Sequence, residues 1–123
     1  MALAESGVDI ILLEYFGGLD ECVNGIKESS GCGLPVFLGT KHVRTDGTLY
    51  TEESAETLAL GLEDLKVDAI LAMCSEPEGI SAFLPNLRQA FHGAVGAYAN
   101  IGYRRSGDNP DYPNRQWHVI ENE

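Results

Sequence analysis

An α/β fold of parallel strand–helix repeats is predicted for these 123 residues by the order of apolar runs, amphipathic stretches and breaks. Short apolar runs begin near Val8, Pro35, Val67 and Ala94, and stretches with helical spacing separate them. Glycines or capping residues stand at the changeovers. Strands that alternate with amphipathic helices imply parallel pairing through right-handed crossovers.

Ala2-Leu3-Ala4-Glu5-Ser6-Gly7 reads as the end of a helix, with Gly7 as its left-handed terminator. The unbroken run Val8-Asp9-Ile10-Ile11-Leu12-Leu13-Glu14 predicts a strand buried on both faces, stopped by Gly17-Gly18. Leu19, Cys22, Val23 and Ile26 then fall at helical spacing, and Asp20 and Glu21 suit the positive N-terminal end. Gly31-Cys32-Gly33 ends that helix, and Leu34-Pro35-Val36-Phe37-Leu38-Gly39-Thr40 forms the next strand. Asp46-Gly47 marks a tight turn. Thr51 is the expected cap of a helix whose buried stripe is Ala55, Leu58, Ala59, Leu62 and Leu65. Residues 67–74 form a third strand, and Pro77 opens a helix with the stripe Ile80, Phe83, Leu84, Leu87 and Phe91. Gly93 stops it, and Ala94-Val95-Gly96-Ala97-Tyr98 makes a fourth strand. Residues 102–116, rich in Gly, Pro, Asn, Asp and Arg, read as a long loop, and residues 102–123 as a loop or tail with Trp117 its large anchor. Two architectures use this repeat, the open doubly wound sheet and the eight-stranded barrel. A barrel needs roughly 200 residues or more, so four strands amount to half of one.

Composition narrows the function. With 19 acidic against 8 basic side chains the net charge is −11, too little Lys and Arg to neutralise a nucleic-acid backbone. The longest aliphatic run, Ile10-Ile11-Leu12-Leu13, falls far short of the ~20 residues of a membrane span. Met1-Ala-Leu-Ala meets Glu5 without a basic region, unlike a secretory signal. Three cysteines, an odd number, argue against a disulfide framework and for a reducing, cytoplasmic setting.

In both architectures chemistry gathers at the C-terminal ends of the strands. There the chain places Glu14-Tyr15, Thr40-Lys41-His42, Cys74-Ser75, and then Tyr98 and Asn100. Glu14, directly after four aliphatics, is either a solvated strand end, the weightier reading, or a carboxylate aimed at a cationic ligand. Cys74, in a strand, is more often a small hydrophobe than a ligand. No CxxC or HxxxH spacing supports a closed zinc site. Cys22 lies on a helical apolar stripe and reads as core, whereas Cys32 falls between glycines in a turn. His42 stands within reach of a strand-end ligand, though a surface role outweighs that. His92 suits the end of a helix, and His118 carries no signal. Gly31-Cys32-Gly33 precedes a strand and lacks the third glycine of a dinucleotide motif, and no phosphate-loop GK[ST] occurs.

Taken in order, these strand ends resemble the central part of the homocysteine S-methyltransferases, the barrel family that includes the betaine-dependent enzyme. Ala4-Glu5-Ser6-Gly7-Val8-Asp9 and Leu13-Glu14-Tyr15-Phe16 resemble its "AGVD" and "AEYF" stretch. Leu34-Pro35-Val36 resembles its next strand, and Val67-Asp68-Ala69-Ile70 leading to Cys74 its "VDAVGVNC" strand. Pro77-Glu78 and Leu84-Pro85-Asn86-Leu87 fit its helix, and Gly96-Ala97-Tyr98-Ala99-Asn100 resembles its "YPN" strand. The resemblance implies strands four to seven of a TIM (β/α)8 barrel, a partial domain over residues 1–123 bounded by the middle of a helix and an unfinished loop. It implies that Glu14 binds the substrate amino group, that Tyr98 and Asn100 line the pocket, and that Cys74 is one of three thiolates on a zinc ion. Such a zinc lowers the pKa of the homocysteine thiol so that it attacks the methyl donor at neutral pH. Two departures stand out. The family's "GVNC" is here Leu71-Ala72-Met73-Cys74, in which Met73 lacks the amide of Asn, and the later "GGCC" pair has no counterpart.

The leading expectation is therefore a fragment of a zinc-dependent enzyme of methionine synthesis, inactive alone. Its partners would be homocysteine and a small methyl donor, with neither nucleic acid nor membrane. The alternative is a non-catalytic half-barrel that binds a ligand and forms a homo-oligomer through its open edges. A flavodoxin-like phosphate-binding domain ranks last, for want of a glycine-rich loop.

Overall fold

A computed structural model describes residues 2–100, 102–103 and 118–119. The chain is α/β. A short helix α1 (Ala2–Glu5) precedes β1 (Ile11–Phe16), α2 (Leu19–Ser29), β2 (Val36–Lys41), α3 (Ala55–Gly61), β3 (Ala69–Met73), α4 (Pro77–Ala90) and β4 (Ala94–Tyr98). The strands form one parallel sheet in the order β1-β2-β3-β4, each beside its neighbour in sequence. Gly102–Tyr103 (β5) and His118–Val119 (β6) pair antiparallel, so the expected loop is crossed by one short ladder. Trp117 and the rest of that segment lie outside the described residues. Among the described residues no helix is long and apolar enough to cross a membrane.

Two expected boundaries move. The first strand begins at Ile11 and not at Val8, because its ladder can start only where Ile11 N–H meets the Pro35 carbonyl, at 2.9 Å. The third helix begins at Ala55, capped by Ser54, whose hydroxyl accepts from Thr57 N–H at 3.1 Å. Thr51 does not cap it. Its hydroxyl instead donates to the Gly17 carbonyl at 3.3 Å and to Glu53, joining this loop to the start of α2. That helix also closes early, at Gly61, where Leu19 packs against the bare Cα.

The helices contact one another in series, α2 with α3 and α3 with α4. One apolar core lies between them and the sheet. Cys22 and Ile26 of α2, Leu58 of α3, and Ile80, Phe83 and Leu87 of α4 close over Leu38, Ile70 and Ala72, with Val43 and Leu49 sealing the end. Leu12, Phe37, Gly39 and Leu71 occupy the other side of the sheet, where Leu12 is exposed and Phe37 and Leu71 are half-buried. Met73, which replaces an expected amide, is buried with its sulfur over Gly39. A flat sheet would hold β1 and β4 roughly 14 Å apart. Tyr98 on β4 and Glu14 on β1 span that distance with their side chains, and their hydrogen bond at 3.1 Å ties the two edge strands together.

Candidate functional site

The C-terminal ends of the strands carry an unusual backbone. Tyr15, His42 and Cys74 follow or close β1, β2 and β3, and each has a positive φ, of 72°, 44° and 45°. L-residues rarely adopt this conformation, and such strain is held only where the surrounding structure over-determines it. At Tyr15 the cause is visible. Leu13 pairs with Leu38 and Phe16 with Thr40, so Glu14 and Tyr15 together span one residue of β2. This bulge keeps Leu13 and Phe16 on the helix side and re-aims the two residues between them.

These three residues also line one cavity of about 740 Å³, with Val43, Arg44, Tyr50, Ser75, Glu76 and Asn100 among its other walls. Tyr15 Oη lies 2.9 Å from His42 Nε2, and their rings meet edge-on at 5.7 Å. Ser75 is buried beneath them. Its hydroxyl donates to the Met73 carbonyl at 2.7 Å and accepts from Val43 N–H at 2.8 Å, fixing the β2–α3 loop to the end of β3. Arg44, on that loop, pairs with Glu52 at 3.1 Å.

The residues singled out from sequence fall in two adjoining groups. Cys74 and Asn100 line the cavity, and the Asn100 amide donates to the Cys74 carbonyl at 3.0 Å. Asn100 N–H reaches the Ser75 carbonyl, and Cys74 N–H the Tyr98 carbonyl, so the β3–β4 ladder runs on past both strands. Glu14 and Tyr98 form the second group, joined across the mouth of the sheet. Burial, then the hydrogen bond and charge of Glu14, then the nearby Cys74, push the Tyr98 hydroxyl up to about 12, so it remains a donor at neutral pH. A carboxylate that accepts one phenolic proton still has lone pairs to offer a cationic ligand.

The sequence placed Tyr15, His42 and Ser75 at strand ends without giving Tyr15 or Ser75 a role, and Tyr50 went unremarked. The adjacency of Tyr15 to Glu14 was the available signal. Tyr50 gave none, since only the fold brings it in from its loop, and Ser75 gave only its place beside Cys74. For a metal, the donor set is short. Cys22 is buried in the core, where burial raises its thiol to about 12, and Cys32 lies in the turn after α2. No group of three or more His, Cys, Asp or Glu side chains is placed to hold an ion among the described residues. Cys74 is a single thiol at a cavity wall, and the described residues do not by themselves fit a catalytic zinc, which needs about three protein ligands.

The family model of the homocysteine S-methyltransferases matches residues 1–123, and the chain belongs to that family. Neither the curated proteins nor the solved structures return a significant match.

Proposed function

We propose that this chain forms the substrate-binding side of a homocysteine S-methyltransferase, built as strands four to seven of a (β/α)8 barrel. The observation that carries the reading is the convergence of Glu14, Cys74, Tyr98 and Asn100 at one end of the sheet, in a member of this family. Glu14 takes the substrate ammonium by a charge-assisted contact, and Tyr98 orients the carboxylate from the opposite edge strand. Asn100 holds the Cys74 peptide in its left-handed turn. Cys74 is the thiolate this chain would offer to a zinc ion, the other ligands coming from outside the described residues. In this reading the 123 residues bind homocysteine and do not turn it over alone.

Calorimetric titration with homocysteine tests the assignment. The unsubstituted chain is expected to bind, Glu14→Gln to lose at least about tenfold in affinity, and a Cys32→Ser control to lose nothing. Equal affinity of Glu14→Gln and the unsubstituted chain would overturn the assignment. A second reading, a ligand-binding half-barrel that self-associates, is favoured by one observation: Ile10 and Leu12 are each 42 % exposed near the β1 edge. Sedimentation at several concentrations distinguishes a discrete dimer from a monomer.

A further inference from the structure

Tyr15, His42 and Cys74 all hold a positive φ at the cavity, and the bulge in β1 accounts for Tyr15 alone. The other two share one neighbour. Ser75 is 2 % exposed, and its hydroxyl makes two hydrogen bonds, to the Met73 carbonyl at 2.7 Å and from Val43 N–H at 2.8 Å. The Met73 carbonyl belongs to the peptide that enters Cys74. The Val43 N–H belongs to the peptide that leaves His42. A single buried hydroxyl is therefore bonded to a peptide beside each of the two left-handed residues that the bulge does not explain, with φ of 45° and 44°.

Peptide units are planar, so fixing the unit on each side of a Cα fixes the direction of its side chain. At Cys74 both units are held. The entering one is held by Ser75 and by the bond from Cys74 N–H to the Tyr98 carbonyl at 3.1 Å, the leaving one by the Asn100 amide at 3.0 Å. We infer, on the methyltransferase reading above, that Ser75 is a positioning residue of the cavity. Its hydroxyl keeps Cys74 and His42 in their left-handed conformations together, and so fixes the thiol wall and the imidazole wall relative to each other. Alanine in its place would leave the buried Val43 N–H unsatisfied and release the peptide that aims the thiol. Both residues would then relax toward the extended backbone that L-residues prefer.

The test is the Cα and Cβ carbon shifts of Tyr15, His42 and Cys74, which report backbone conformation, in the 123-residue chain and its variants. Ser75→Ala is expected to move the shifts of Cys74 and His42 from left-handed toward extended values and to leave those of Tyr15, which the bulge holds. Ser75→Thr keeps the hydroxyl and is expected to leave all three in place. A folded Ser75→Ala chain in which Cys74 or His42 keeps its shifts overturns the inference. So does one in which Tyr15 moves with them, the mark of general loosening, and so does an equal displacement in Ser75→Thr. Should Ser75→Ala fail to fold, His42→Gly and Cys74→Gly are added to it, because glycine takes a positive φ at no steric cost. That triple variant is expected to fold, and its failure to do so overturns the inference. These shifts are read without ligand, so a failure of homocysteine to bind, seen in the Glu14 titration, leaves the result intact.

Discussion

Replacing Gly79 with alanine sets a gain in helix propensity against a collision, and the structure decides which wins. Gly79 is buried within α4. Alanine is worth ~0.5–1 kcal/mol over glycine inside a helix. A Cβ at this position, however, would lie 2.6 Å from the Arg44 carbonyl oxygen and 2.8 Å from that of Val43, where ordinary contact begins near 3.4 Å. The obstacle is backbone, and it is tied down. Val43 N–H is held by buried Ser75 at 2.8 Å, and Arg44 N–H by the Thr48 carbonyl at 2.8 Å. The same loop touches α4 again at Gly47, whose φ of 80° leaves Ala82 close beside it. Overpacking of this kind costs ~1–3 kcal/mol, so Gly79→Ala is expected to be net destabilising by ~1–2 kcal/mol, a fall in Tm of a few degrees. Gly61→Ala is the control, since its Cβ meets only the flexible methyl end of Leu19, at 2.6 Å, and the leucine can rotate away. Thermal unfolding followed by circular dichroism gives both values. A Gly79→Ala chain as stable as the unsubstituted one, or more so, would refute the reasoning, for it would mean that the loop lining the cavity yields freely.

Other consequences can be checked in the same way. Burial raises the Cys22 thiol from 9.0 to about 12. Between those values the unfolded chain releases a proton that the folded chain keeps. Stability is therefore full below pH 9 and falls as pH rises, by up to ~1.4 kcal/mol per unit. Urea unfolding from pH 8 to 11 is expected to show that slope, and Cys22→Ala a shallower one despite lower stability at neutral pH. Glu14→Gln is expected to bring the Tyr98 hydroxyl part of the way from about 12 toward 10.0, because the carboxylate supplies its hydrogen bond and charge but not its burial. Tyrosine ring carbon shifts up to pH 11 would show it, and an unmoved titration would contradict the pairing. Ser54→Ala is expected to cost ~1 kcal/mol as a lost N-cap. Phe83→Ala, at a side chain with 0 % exposure, is expected to cost ~3–5 kcal/mol, both read from urea midpoints.

Much of this architecture was legible because it is local. Apolar runs and stripes located β2, β3, β4, α2 and α4, and Pro77 marked the start of α4, since a proline is tolerated where an N–H has no partner to lose. What was not legible depends on pairing. Val8 and Ile10 look like strand residues, but the ladder with β2 begins only at Ile11. Thr51 was the expected cap of α3, but it is drawn off by Gly17 and Glu53, which only the fold brings near, and Ser54 caps the helix instead. Position marked the strand-end carboxylate, thiol and amide, but for Glu14 and Cys74 it favoured a solvated strand end and a small hydrophobe, and only the family resemblance implied their roles. The aromatic wall could not be read, because Tyr15 and His42 stand 27 residues apart and meet through a bulge that no composition announces.

The Glu14–Tyr98 contact joins positions 84 residues apart. Closing a flexible loop of that length costs ~4 kcal/mol of chain entropy, while one hydrogen bond returns ~1 kcal/mol, so the contact cannot form ahead of the structure around it. It becomes favourable only after β1, β2, β3 and β4 have paired in turn and carried the loop closed in shorter steps. The tie is thus a late event in folding. The carboxylate proposed to receive the substrate is aimed only when the last strand of the sheet has docked, and a chain cut short of β4 would keep Glu14 but leave it pointing at water.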